Sequence, residues 1–360
     1  MERQVFGRQP TDIDGPVPLA NLLDTFMREV DEKRTAVDGI QRLFDGMRSY
    51  LAPAEEDGSV TKLDELSALT RGVVIPLGSD NGTFHVNAVI GGGADGVVFH
   101  GSLQDKKTGV STEVAAKFSY PFERVRLHTK HTVELTEDGI EAAAMQFVAV
   151  TEQAVHDRLQ KVGFSAVPNL FMSTLLNSVD DTNDAMALTI MEHIHGKELN
   201  QLAIEIGKGV APFSTLRPIL EGMVMVLSQL QERGIYVWDA NSRNVLIREG
   251  TQENPEQQVV LIDFRRANIT GKVEFYRERG LGSHPEIPEN SGETPTQMEQ
   301  TVVNGLGEAW LDVAKRIKSS GKVAHAEASL LESLAYVLRD EKVTSLGDVP
   351  ALIERIFQQA

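Results

Sequence analysis

The sequence predicts an α+β fold preceded by an N-terminal helical extension. Three observations predict it. Apolar residues recur at helical spacing from Leu19 to Leu51. A strand, a glycine loop and a second strand follow over residues 83–101. Further on, two short apolar runs each deliver an acidic residue, Asp239 and Asp263. The chain's 360 residues, 41% of them hydrophobic, suffice for two lobes with cores of their own.

Residues 1–18 are polar, contain several Pro and Gly, and read as an irregular arm. Leu19, Leu22, Phe26, Val30, Val37, Ile40, Phe44, Met47 and Leu51 then define one long amphipathic helix, or two broken near Gly39. A linker over residues 52–59 leads to a shorter helix over 62–69. This extension is expected to cap the main fold, and it offers a surface for a partner.

In T-F-H-V-N-A-V-I-G-G-G-A-D-G-V-V-F-H-G, Gly91, Gly92, Gly93 and Gly96 precede Val98. Glycines let a backbone approach phosphates and aim its N–H groups at them. The spacing also occurs in dinucleotide-binding folds, where a helix follows. Here Val97, Val98 and Phe99 continue as a strand. A hairpin connection over 105–112 leads to E-V-A-A-K-F, a strand ending in Lys117. A basic segment over 124–131 reads as a solvated insertion, and residues 137–162 read as a helix. On it Val148, Glu152, Val155 and Leu159 share one face. A Glu on an apolar face needs a partner, and Lys117 is the obvious one. Glu141 is the alternative.

Residues 214–233 read as a helix with Leu216, Ile219, Leu220, Met223, Leu227 and Leu230 inward and Gly234 as its stop. Then come I-Y-V-W-D-A-N-S-R-N-V-L-I and V-V-L-I-D-F. Asp239, Asn244 and Asp263 supply hard oxygens suited to a divalent cation and a proton acceptor. Helices over 301–317, 326–338 and 349–357 close the chain. His193 and His195 are expected to face solvent, for want of a third ligand.

The set resembles the protein kinase-like superfamily over roughly residues 84–357, in this order: glycine loop, V-A-A-K, helix Glu, M-E-H-I-H-G hinge, D-x4-N, D-F. The loop W-D-A-N-S-R-N is also similar to those of RIO-type and lipopolysaccharide-sugar kinases. Val237, Trp238 and Arg265 replace the family's His, Arg and Gly, and Asn241 stands where Ser/Thr kinases carry Lys. The resemblance implies a two-lobed fold: extension 1–80, N-lobe 81–195, C-lobe 196–360. It implies an enzyme using ATP and Mg²⁺ to phosphorylate a hydroxyl of a protein, or of a small molecule or sugar; a pseudokinase is the non-catalytic alternative. Lys117, held by Glu152, would contact the α/β-phosphates, and Asn244 and Asp263 would ligate Mg²⁺. Asp239 would accept or orient the acceptor hydroxyl, and Arg243 would contact the γ-phosphate. Met191 would be the gatekeeper, with the backbone of Glu192 and Ile194 on the adenine edge. Thr270, Ser283, Ser291 and Thr294 are the hydroxyls available for phosphorylation after Asp263.

The balance of 35 basic and 52 acidic residues, −17 net, argues against sequence-independent binding to nucleic acid or anionic membranes. With 0 Cys there is no disulfide framework or Cys-zinc site. No apolar run reaches the roughly 20 residues of a membrane span. The N-terminus lacks a hydrophobic signal core, so a cytoplasmic location is expected, with signal-less export as the other route.

Overall fold

Six strands form one antiparallel sheet that carries the glycine segment and Lys117. The computed structural model describes residues 38–47, 59–77, 82–93, 96–119, 155–156, 158–177, 185–237, 239–250, 258–264, 267–269, 294–340, 343 and 345–359. The strands are β1 (Val74–Pro76), β2 (Thr83–Gly93), β3 (Gly96–Gln104), β4 (Ser111–Ser119), β5 (Leu170–Asn177) and β6 (Ala185–Glu192). Their order is β1-β2-β3-β4-β6-β5, with every neighbouring pair antiparallel. Helix α1 (residues 38–47) and α2 (Ser59–Thr70) pack on one face. Leu43, Phe44, Met47 and Leu66 join Phe84, Phe99, Phe118 and Ile190 in a single apolar cluster. Gly46 permits this approach, because a Cβ there would lie 2.8 Å from Leu66. The expected helical cap is therefore present over these residues. Gly39 is the second described residue of α1, and the residues before 38, where a break would show, lie outside the described residues. Residues 1–37 and 48–58, with the expected arm, linker and start of the first helix, lie outside the described residues.

A second core holds the remaining helices. These are α3 (Leu199–Gly207), α4 (Leu216–Glu232), α5 (Pro295–Ser320), α6 (His325–Arg339) and α7 (Val349–Gln359). The inward set read for α4 is buried throughout, and Gly234, at φ 70°, ends it. Helix α5 begins six residues before the expected start at Thr301. Thr294 caps it: its hydroxyl accepts from Gln297 N at 3.3 Å, and Gln297 Oε1 accepts from Thr294 N at 2.7 Å. This is a capping box followed by Pro at N1, a signal present in T-P-T-Q. Thr294 is thus a helix cap, while Thr270, Ser283 and Ser291 lie outside the described residues. Trp310 of α5 is fully buried.

Two small sheets complete this part. β7 (Gly196–Glu198), β9 (Val245–Arg248) and β10 (Val259–Leu261) pair in the order β10-β9-β7. β8 (Ile235–Tyr236) pairs with β11 (Asn268–Ile269). Residues 193–195 join the six-stranded sheet to the three-stranded one. No helix among the described residues is long and apolar enough to cross a membrane.

Candidate functional site

The glycine segment is a hairpin, with Gly91 opposite Val98 and Gly93 opposite Gly96. A strand follows it, not the helix of a dinucleotide-binding turn. Gly96 is required by space: a Cβ there would lie 2.3 Å from the Phe118 carbonyl. Strand β4 runs beside β3 with Lys117 opposite Val98, so Lys117 and Val98 share a face. The whole of Val114–Phe118 is buried, Lys117 included.

Opposite this roof, β8 and β9 flank the loop that carries Asp239 and Asn244. The loop is fixed by its own side chains. Asn241 Nδ2 donates to Asp239 Oδ1 at 2.9 Å, and Asn241 Oδ1 accepts from Arg243 N at 3.0 Å. Asn244 Nδ2 donates to the Asp239 carbonyl at 2.9 Å, which leaves its Oδ1 as a donor oxygen. Ser242 is fully buried, and its hydroxyl donates to Asp312 Oδ2 on α5. Asp312 on α5 thus holds the loop from a distant segment of the chain. Asn241 and Asp312 were both missed. The only sequence hint for Asn241 was its place two residues after Asp239.

Strand β10 delivers Asp263, whose φ of 66° is in the left-handed region. Asp tolerates that region better than most residues, and such conformations cluster where a side chain must be aimed. Lys117 Nζ lies 2.8 Å from Asp263 Oδ1. The expected Lys117 partner, Glu152, lies outside the described residues, as do Glu141 and residues 124–131. Val155 and Leu159 of the expected apolar face are fully buried. Phe264 is buried with the ring of His156 edge-on to it at 5.6 Å.

These segments enclose a cleft of about 610 Å³. Gly91, Gly92, Gly96, Val98 and Ala115 form its roof, and Met191, Glu192 and Ile194 one wall. Lys117, Asp239, Arg243, Asn244 and Asp263 line it together. Thus every described candidate except Gly93 faces one space. Glu192 is more committed than expected: its N–H donates to the Asn169 carbonyl at 2.8 Å, so only its carbonyl remains for a ligand edge. Its carboxylate accepts from Arg248 Nη1 at 2.9 Å. Glu198, which the sequence reading passed over, also lines the cleft. Burial pushes its carboxyl above the usual range, and Arg243 offsets part of that.

A comparison with protein-family models finds no match, and none of the curated proteins matches the chain significantly.

The expectation holds for His195, which is 67% exposed, and needs correction for His193. His193 is only 21% exposed, and its ring lies tilted against that of His100 at 4.7 Å and edge-on to that of His195 at 4.8 Å. The groups beside it, His100 and Glu113, come from β3 and β4, far away in sequence.

Proposed function

We propose that the chain is a Mg·ATP-dependent phosphotransferase with a two-lobed, protein-kinase-like fold, acting on a hydroxyl acceptor that is most simply a protein side chain. One observation carries the reading. Lys117, Asp239, Asn244 and Asp263 come from three separate segments and line one cleft beneath a glycine hairpin. The six-stranded sheet and the later helices have separate cores, which suits two lobes, although Val155, Leu159, Ala166 and Val167 pack into the second core and not with the sheet.

The residues fit the cofactor. Asp263 carboxylate and Asn244 Oδ1 are the hard oxygens Mg²⁺ prefers. Gly91, Gly92 and Gly96 line the cleft from the hairpin and present backbone without side chains there. When bound, Mg·ATP supplies the γ-phosphoryl group and neutralises its charge. Lys117, 2.8 Å from Asp263 Oδ1, would hold the α/β-phosphates and helps to orient the Asp263 carboxylate. Asp239, aimed by Asn241, takes the proton of the acceptor hydroxyl as the new O–P bond forms and the bond to ADP breaks. Arg243 compensates charge at the transferring group.

The test is transfer from γ-labelled ATP to generic protein acceptors and to a panel of sugars and small alcohols. Asp239→Asn should lower transfer by about 10²–10⁴-fold while leaving nucleotide binding intact. A wild-type protein that transfers label to nothing would refute the enzyme reading. An Asp239→Asn protein as active as wild type would refute the role of Asp239. Label on a small alcohol alone would reassign the acceptor class.

A further inference from the structure

Three histidines and a glutamate converge at the outer end of the cleft roof. The sheet register explains why. His100 on β3 stands opposite Ala115, so Glu113, two residues away on β4, is its diagonal neighbour on the same face. Val114 pairs with Glu192 on β6, which brings His193 beside Glu113 as the chain leaves the sheet. His100 Nε2 lies 2.6 Å from Glu113 Oε1, His193 Nδ1 3.2 Å from the same oxygen, and His195 Nε2 3.5 Å from Glu113 Oε2. One ligand atom from each of His100, Glu113 and His193 lies within 4.8 Å of the others. His193 Nδ1 is buried and, though close to Glu113, is aligned for no hydrogen bond.

We propose that His100, Glu113, His193 and His195 form a binding site for a divalent transition metal ion, with Zn²⁺ as the natural occupant. Imidazole and carboxylate are established zinc donors, and four protein donors make a closed, structural site rather than a catalytic one. Zn²⁺ with bonds of about 2.0–2.1 Å sets tetrahedral donors about 3.4 Å apart. The three His-to-Glu113 separations, 2.6, 3.2 and 3.5 Å, lie around that value; the ligand atoms of His100, Glu113 and His193 fall within 4.8 Å of one another, and His195 must rotate inward to become the fourth donor. His195, 67% exposed, leaves the ion a path from solution.

Burial and the neighbouring His100 hold the His193 imidazole below the usual histidine range, which favours its neutral, ligating form. The hydrogen bond from His100 keeps Glu113 ionised. The bound ion ties β3 and β4 to residues 193–195, the connection between the two sheets. It is chemically separate from the oxygen-only set at Asp263 and Asn244, and the inference does not rest on the phosphotransfer reading.

The test uses the full chain without an affinity tag. It is dialysed to equilibrium against Zn²⁺ in excess Mg²⁺, and bound metal and melting temperature are measured. Wild type should retain one Zn²⁺ and melt higher with it, because an ion bound to the native state alone stabilises that state. His100→Ala and His195→Ala should each weaken binding by about a hundredfold or more, beyond the usual effect of a supporting residue. His85→Gln, on β2, should not weaken it. His195 is exposed, so its variant tests the site without disturbing the fold. Co²⁺ in place of Zn²⁺ should give the visible spectrum of a low-coordinate nitrogen and oxygen site. Absence of Zn²⁺ binding, or equal binding by wild type and the His100→Ala/His195→Ala double variant, would overturn the proposal.

Discussion

Replacing Ser242 by Ala removes the hydrogen bond that fastens the Asp239–Asn244 loop to helix α5. Ser242 is fully buried, and its hydroxyl donates to the Asp312 carboxylate. A hydrogen bond to a charged group contributes about 1.5–3 kcal/mol. Asp312 is 41% exposed and lies 3.8 Å from Arg316, so water and that guanidinium recover part of its loss. The expected destabilisation is therefore about 1–2 kcal/mol. A double-mutant cycle with Asp312→Ala isolates the contact, and its coupling should be about 1 kcal/mol. Urea unfolding followed by circular dichroism measures it, as a shift in midpoint at unchanged slope. Phosphotransfer should fall more steeply than stability, because the same loop aims Asp239. The Ser242 carbonyl still accepts from Asn200 N at 3.1 Å, so the loop should loosen and not detach. A coupling below about 0.3 kcal/mol, within the additivity of independent sites, would refute the anchoring argument.

Gly96→Ala should destabilise the sheet and lower nucleotide affinity together, since the new Cβ would lie 2.3 Å from the Phe118 carbonyl; melting and equilibrium dialysis check both, and an unchanged melting temperature would show that the hairpin yields easily. Glu198→Gln tests the effect of burial on a carboxyl. The folded-state pKa of Glu198 is raised, so its stabilising contribution is full below the unfolded pKa and is lost as pH rises through the folded one. The variant should therefore melt above wild type at pH 7, with the difference shrinking as the medium is acidified; a constant difference across pH would point to packing instead.

The helices and strands were legible because their signals are local. The i, i+3, i+4 spacing of Leu216 to Leu230 and the short apolar run before Lys117 need only neighbouring residues. Asp239, Asn244 and Asp263 stood out only as part of an ordered set of motifs, and the fold brings them to one cleft. What escaped depends on register and distance in the chain. Glu113 meets His193 only because β4 lies beside β6 and not beside β5, which the sequence does not announce. Ser242 and Asp312 are 70 residues apart, and on α5 alone Asp312 reads as a surface acid beside Arg316. The start of α5 was missed for a different reason. It opens in a polar stretch without apolar periodicity, where only the Thr294 cap and Pro at the first helical position mark it.

The central claim is tested most directly by calorimetric titration of ATP into the full chain, with and without Mg²⁺, for wild type, Asp263→Ala and Lys117→Met. The account predicts one Mg²⁺-dependent nucleotide site in wild type. Asp263→Ala should abolish the Mg²⁺ dependence, and Lys117→Met should weaken binding at the phosphates. Wild-type protein that takes up neither ATP nor GTP at millimolar concentration, with Mg²⁺ present, would contradict it.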